Sequence, residues 1–268
     1  MHIVDRVVLN DLEMEYLKFG TGSKTLVILP GLSIQSVMPA APLIVKQYEI
    51  FEKDFTVYLF DRRSNLPEKY SIFDMADDTV KVMNKLGLKN VCLFGASQGG
   101  MIAESIAIKY PEFVEKLVLG SSACCINQKA SSVIGEWIKL AKAGKAEDLY
   151  LYLGEKVYSP EVFNQYRNVL IDMAKSVTEM DLKRFIILAE GINGFDLKDK
   201  LNLIQCPLLV IGDHTDAVLG GEASLEIAEV MKNKPNFEIY MYSNCGHATY
   251  DAAPDYTQRL FNFFMNNK

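Results

Sequence analysis

The stretch VCLFGASQGGMIAESIA, residues 91–107, decides how this chain is read. Val91 to Phe94 is a short apolar run with the look of a buried strand, and the run from Gln98 onward has helical character. Between them lies Gly95-x-Ser97-x-Gly99, a serine with a glycine two residues to either side. A serine on so sharp a strand-to-helix turn has a strained backbone, and the glycines let neighbouring elements approach closely. The turn exposes the hydroxyl, while the helix start beneath it supplies N–H groups and positive dipole for a developing negative charge. G-x-S-x-G alone is a weak signal. Placed between a strand and a helix, it marks Ser97 as a nucleophile rather than an ordinary turn serine.

Outward from this turn, apolar runs alternate with helical patterns. The runs are Thr25–Leu29, Phe55–Phe60, Val91–Phe94, Lys116–Leu119, Pro207–Ile211 and Phe237–Met241. The helices are expected at Asp74–Leu86, Gln98–Tyr110, Gly221–Lys232 and Pro254–Met265. Two further strands, Ile3–Leu9 and Leu12–Phe19, join through Asn10-Asp11, a natural tight-turn pair. Continuous apolar strands spaced by helices predict an α/β fold with a mostly parallel central sheet flanked by helices, built from residues 1–123 and 201–268. Residues 124–200 break the alternation. They contain amphipathic stretches at Val133–Ala143, Ala146–Lys156, Pro160–Lys175 and Thr178–Glu190, and no convincing strand. A helical insertion after the sixth strand would sit over the crevice at the strands' C-terminal edge, as a cap or lid.

Composition narrows the partners. The 268 residues, 49% apolar and 23% charged, suit one large α/β domain with a sizeable core. Basic residues number 28 against 34 acidic, a formal net charge of −6, and they are scattered. Nucleic acid and anionic membrane surfaces are therefore not expected partners. Five cysteines without C-x-x-C spacing predict neither a disulfide framework nor a zinc site, and suit a reducing cytoplasm. No signal peptide is visible in MHIVDRVVLN. Thr25–Val45 is uncharged for 21 residues, but Pro30, Gly31, Pro39 and Pro42 would break a spanning helix, so it reads as a strand and a loop.

On the residues around Ser97 the chain resembles the α/β-hydrolase family, and the resemblance runs over essentially its whole length. Leu29-Pro30-Gly31-Leu32-Ser33 follows the third strand, where the family usually has His-Gly and the next residue supplies an oxyanion-hole N–H. Cys206 to Asp216 resembles the strand and loop that present the acid, and Asn244-Cys245-Gly246-His247-Ala248 the loop that presents the base. The resemblance implies the family order of nucleophile, acid and base, Ser97, Asp216, His247. Two positions depart from the family: Pro30 stands for the usual His, and no glycine follows Asp61-Arg62-Arg63. Proton bookkeeping is consistent. A neutral serine hydroxyl needs a base within hydrogen-bond reach, and His titrates near neutrality. Of three histidines, His2 is terminal and His214 lies in the acid loop, which leaves His247. Asp213 is the alternative acid, but so close to a strand end its side chain is better suited to capping the turn. The expected oxyanion donors are the backbone N–H groups of Leu32 and Gln98.

The same residues admit other readings. His214 with Asp213, Asp216 and His247 lacks metal-ligand spacing, so no metal or organic cofactor is expected. Asp61-Arg62-Arg63 suits a structural Asp–Arg pair better than an anion site. Trp137, Tyr150, Tyr152, Phe163 and Tyr166 fit a substrate pocket and an insertion core equally well. Ser121 and Ser122 either border the pocket or ease packing, and Cys124 and Cys125 read as buried hydrophobes rather than a redox pair. The expected activity is hydrolysis of a carboxylic ester or related acyl bond of a small molecule through an acyl-serine. The alternatives are an acyltransferase, a cofactor-free non-hydrolytic enzyme with the same three residues, or a pocket-retaining sensor. Oligomeric state is not readable from these patterns. Since no proposed chemical group lies within 132–190, deleting most of that segment is expected to alter substrate preference more than reactivity toward a small activated ester, measured on short and long acyl substrates.

Overall fold

The computed structural model describes residues 2–266. An antiparallel hairpin of β1 (His2–Leu9) and β2 (Leu12–Phe19) comes first, and its turn holds Asn10 at φ +50°, a conformation Asn tolerates. Next come β3 (Lys24–Leu29), a short α1 (Ala41–Gln47), β4 (Phe55–Arg63), α2 (Ile72–Lys85), β5 (Val91–Ala96), α3 (Gln98–Lys109) and β6 (Val114–Gly120). Four helices intervene before the next strand: α4 (Gln128–Lys142), α5 (Ala146–Val157), α6 (Pro160–Ala174) and α7 (Glu179–Glu190). Then follow β7 (Leu208–Asp213), α8 (Gly221–Met231), β8 (Phe237–Tyr242), a one-turn α9 (Thr249–Ala252) and α10 (Tyr256–Met265).

The eight strands form one sheet in the order β1-β2-β4-β3-β5-β6-β7-β8. β2 pairs antiparallel with β1 and β4, and all other neighbours are parallel. The sheet is mostly parallel, as expected, with its antiparallel part confined to one edge. From the central β3 the chain goes to β4 on one side and later to β5 on the other. This is the switch point at whose C-terminal edge open α/β sheets bind ligands. Two apolar cores cover the sheet. One packs α2, α3 and the inserted helices on one face, and the other packs α1 and α10 on the opposite face. In α10, Tyr256, Leu260 and Phe264 are buried at four-residue spacing, one stripe of a helix facing the sheet. Ser71 with Asp74 and Thr178 with Asp181 form capping boxes that start α2 and α7.

Several boundaries differ from the sequence reading, most of all at α4, which starts at Gln128 rather than Val133. α1 lies in the segment read as loop, because Pro42 falls in the first turn, where its missing N–H costs no hydrogen bond. The last helix starts at Tyr256 rather than Pro254, since Ala253, before the proline, is extended. β4 continues through Asp61, Arg62 and Arg63, and Asp61 and Arg63 enter structural ion pairs, as expected, though with partners elsewhere in the chain. Asp61 pairs with Arg184 of α7 at 2.7 Å, Arg63 pairs with Asp78 at 3.1 Å and Asp11 at 3.2 Å, and Arg62 bonds to neutral acceptors. The inserted helices leave and rejoin the sheet through one neck, where Cys125 bridges Asp196 and Leu197 N–H donates to Cys124 O at 2.7 Å.

One core group is out of balance. Both carboxyl oxygens of Glu104, on the middle of α3, are buried without a hydrogen-bond partner among the described residues. Burial pushes this carboxyl well above its ordinary value, and the neighbouring Ser122 hydroxyl donates instead to Ser97 O at 3.2 Å. With the folded value raised, stability is full below the unfolded pKa and is lost as pH rises above it. Glu104→Gln is expected to raise the melting temperature at pH 8 by about 2–4 °C or more and to change it little at pH 4. Scanning calorimetry at both pH values checks this.

Candidate active site

Ser97 is the single residue between β5 and α3, and its backbone sits at φ +52°, ψ −119°. Such a conformation costs an L-residue of order 1–3 kcal/mol and persists only where surroundings over-determine it. They do so here. A Cβ on Gly99 would lie 2.0 Å from Leu29 O, and one on Gly95 would lie 2.3 Å from Gly99 O. The glycines therefore let α3 settle directly on β3 and on its own strand, and Ser97 N–H donates to Gly120 O at 2.8 Å.

Two loops from the far half of the sheet complete the arrangement. His247 follows β8 in a loop that places Asn244 at φ +74° and Gly246 at φ +75°. Its Nε2 lies 2.9 Å from Ser97 Oγ, and its Nδ1 lies 2.8 Å from Asp216 Oδ2. His247 and Asp216 are buried, whereas Ser97 keeps partial exposure. The other oxygen of Asp216 accepts from the N–H groups of Val218 (2.8 Å) and Leu219 (2.9 Å). Burial pushes the Asp216 carboxyl up, but the adjoining His247 ring and these N–H donors together hold it below its ordinary value. Asp213 has different partners. Its Oδ1 accepts from Thr215 N–H at 2.6 Å and its Oδ2 from Cys245 N–H at 2.8 Å, so it ties the Asp216 loop to the His247 loop.

The Pro30–Ser33 loop, at the end of β3, lies against the serine: a Cβ on Gly31 would sit 3.4 Å from Ser97 Cβ. Leu32 N–H has no acceptor among the described residues, and Gln98 N–H, first in α3, is one of the amides a helix leaves unpaired. Sequence reasoning missed what holds these two residues. The Arg62 guanidinium donates to Pro30 O at 2.6 Å and to Gln98 Oε1 at 3.2 and 3.3 Å, and Gln98 Nε2 donates to Leu188 O of α7 at 2.7 Å. Burial pushes Arg62 down to about 10, which leaves it protonated at neutral pH. Its signal was an arginine ending an otherwise apolar strand, and only the fold reveals its partners.

A sequence model of the family described as alpha/beta hydrolase fold matches residues 24–156, which include the Pro30 loop and the Ser97 turn. The chain belongs to the α/β-hydrolase fold family. It is 26% identical over 240 residues to "Putative carbamate hydrolase RutD" of Stutzerimonas stutzeri, covering 84% of this chain and 85% of that protein. It is 25% identical over 228 residues to "Serine hydrolase BPHL" of Mus musculus, covering 80% of this chain and 70% of that protein. Among solved structures, the α/β-hydrolase enzyme MGS-M2 from a Medee basin deep-sea metagenome library superposes with a TM-score of 0.87, at 22% identity and over 98% of both chains. This α/β-hydrolase is an enzyme, a hydrolase.

The remaining candidates fall elsewhere in this α/β-hydrolase. His214 is exposed. Among the described residues, the side chains close enough to share a metal ion are Cys124, Cys125 and Glu226, not the histidine–aspartate set considered from sequence. Burial pushes both thiols up, and Lys198 already pairs with Glu226, so this cluster suits a cation poorly. Ser121 bonds Thr249 at 2.9 Å, fastening β6 to the helix after His247. The insertion aromatics divide. Trp137 and Tyr150 are buried, Tyr166 is exposed, and Tyr152 and Phe163 line a groove of about 620 Å³ among α4, α5 and α6 that includes none of Ser97, Asp216 and His247. Gly99→Ala tests the turn: a Cβ against Leu29 O has no room, so a loss of about 1–3 kcal/mol or more is expected, measured by urea unfolding.

Proposed function

We propose that this hydrolase cleaves a carboxylic ester, or a related acyl bond, of a small molecule through an acyl-serine intermediate. The observation that carries the reading is the unbroken line Ser97 Oγ–His247 Nε2 (2.9 Å) and His247 Nδ1–Asp216 Oδ2 (2.8 Å). Ser97 Oγ attacks the acyl carbon while His247 Nε2 takes its proton as general base. Asp216 holds the ring in the tautomer with hydrogen on Nδ1 and stabilises the imidazolium that forms. The N–H groups of Leu32 and Gln98 receive the charge on the former carbonyl oxygen. His247 then returns the proton to the leaving group, and water repeats the sequence on the acyl-enzyme. The relatives' names support this reading, one being a serine hydrolase and one a putative carbamate hydrolase.

Residues 124–200 act in this proposal as a cap, with 1–123 and 201–268 as the core. The inserted helices touch the loops that carry the site: Val157 O accepts from Ala248 N–H at 3.0 Å, Leu188 O from Gln98, and Lys129 Nζ donates to Asp216 O at 3.1 Å. No described helix is long and apolar enough to cross a membrane. All five cysteines are free, which suits the reducing cytoplasm proposed for this enzyme.

Ser97→Ala should retain the fold and lower turnover of p-nitrophenyl acetate by about six orders of magnitude. More than a few per cent of activity, or continued labelling by a fluorophosphonate, would overturn the nucleophile assignment. Asp216→Asn should cost roughly four orders of magnitude at neutral pH, through the wrong imidazole tautomer. Asp213→Asn should cost at most a few-fold, through stability or loop geometry. Steady-state kinetics of both variants on one ester separate the two carboxylates, and a severe loss confined to Asp213→Asn would reverse their roles. Free acid released with water as sole acceptor separates hydrolysis from acyl transfer.

A further inference from the structure

The loop around Leu32 is gripped from two sides. Pro30 O accepts from Arg62 of β4 at 2.6 Å, and Ser33 O accepts from Arg184 of α7 at 3.2 Å. Arg184 reaches that carbonyl from within the insertion, with only 14% of its side chain exposed. Its other nitrogen donates to Asp61 Oδ1 at 2.7 Å, on a side chain 5% exposed, and the same oxygen accepts from Arg62 N–H at 2.7 Å. Gln35, two residues further along the loop, accepts from Tyr150 of α5 at 3.3 Å and donates to Asp181 of α7 at 3.4 Å. The segment that would present Leu32 N–H is thus fixed at Pro30, Ser33 and Gln35, and two of those three anchors come from the inserted helices.

We propose that Arg184 is a positioning residue for the oxyanion site, so that α7 of the insertion sets the reactivity of Ser97 as well as shaping the pocket above it. This rests on the hydrolytic reading given for Ser97, His247 and Asp216. Removing water from an Arg–Asp pair is unfavourable, and such pairs often contribute little net stability. What the Arg184–Asp61 pair supplies is direction. A guanidinium with one nitrogen on a buried carboxylate can hold a carbonyl with the other in only a narrow range of positions. Pro30 O belongs to the Pro30–Gly31 peptide and Ser33 O to the Ser33–Ile34 peptide, so holding both fixes the peptides on either side of the two that contain Leu32, and an N–H aimed before the reaction begins needs no reorganisation when charge appears. The insertion, expected from sequence to govern substrate preference more than reactivity, would on this proposal bear on both. The segment holds no reacting atom, yet it holds the loop beside one.

The test uses the full-length protein and Arg184→Gln, Arg184→Lys and Asp61→Asn. Active sites are counted by the end point of fluorophosphonate labelling at Ser97, read by peptide mass spectrometry, so that misfolded protein does not enter the rates. For Arg184→Gln, kcat per active site on p-nitrophenyl acetate and the rate of fluorophosphonate labelling should both fall by about 10–100-fold, with KM changed by less than about threefold. Inhibition by a trifluoromethyl ketone, which forms a tetrahedral adduct with the serine, should weaken by a similar factor. Arg184→Lys, able to reach one acceptor but not grip both, should recover part of the loss. Asp61→Asn, which leaves Arg184 in place but unaligned, should show the same pattern in smaller measure and stands in if Arg184→Gln does not fold. A kcat per site within about twofold of wild type in these variants would overturn the proposal, as would a loss carried wholly by KM or by the number of active sites. Failure of wild type to label at Ser97 is a different result: it would remove the hydrolytic reading, and the proposal with it.

Discussion

Everything around the site depends on one constraint, the approach of α3 to the ends of β3 and β5. At Gly99 the helix backbone comes so near Leu29 O that no side chain fits between them, and the same crowding forces Ser97 to φ +52°. The strain, of order 1–3 kcal/mol, is offset by the burial of nearly all of α3 against the sheet. In return the fold places a hydroxyl at the switch point of the sheet, on a helix N-terminus, in contact with the loop that ends β3. Loosening that contact would relax the turn, lower the serine and separate it from both loops that approach it from β7 and β8.

The two aspartates after β7 show how environment divides identical side chains. They are three residues apart, both buried, and both accept from backbone N–H groups. Asp213 spends its oxygens on Thr215 and Cys245, which brings the neighbouring loops into register but leaves nothing for a ring nitrogen. Asp216 spends one oxygen on Val218 and Leu219 and keeps the other for His247. A carboxylate so supplied with donors stays ionised despite its burial, as a partner for a protonated imidazole must. Asp213 supports that arrangement by holding the His247 loop against the Asp216 loop.

How much of this was legible follows the range of the interactions. The Ser97 turn, the alternation of strands and helices and the insertion between β6 and β7 are written in local patterns, and the structure has them at or within a few residues of their expected places. The helix at Ala41–Gln47 was hidden because Pro42 reads as a breaker when its position in the first turn is unknown. Asp61, Arg62 and Arg63 were legible only as charges at a strand end. Their partners, Arg184, Pro30, Gln98, Asp78 and Asp11, lie between 15 and 123 residues away, and no periodicity announces them. The same holds for Gln98, whose side chain joins Arg62 to α7 across 90 residues.

Those long-range polar contacts explain why buried charge is tolerated beside this site. Hydrophobic residues could fill the same space at equal or lower free energy, but they could not fix the direction of a carbonyl or an amide. A reaction that develops charge on an oxygen gains most from dipoles already aimed at it, and aiming a loop amide requires its neighbours to be held at both ends. Arg62 does this from the sheet and Arg184 from the insertion, with Asp61 between them accepting from both residues. Ser97, Asp216 and His247 therefore all lie outside the inserted helices, whereas the loop facing them is held by the sheet and the inserted helices together. Because Arg184 joins α7 to Ser33 O, a movement of α7 would be felt in the loop beside Ser97.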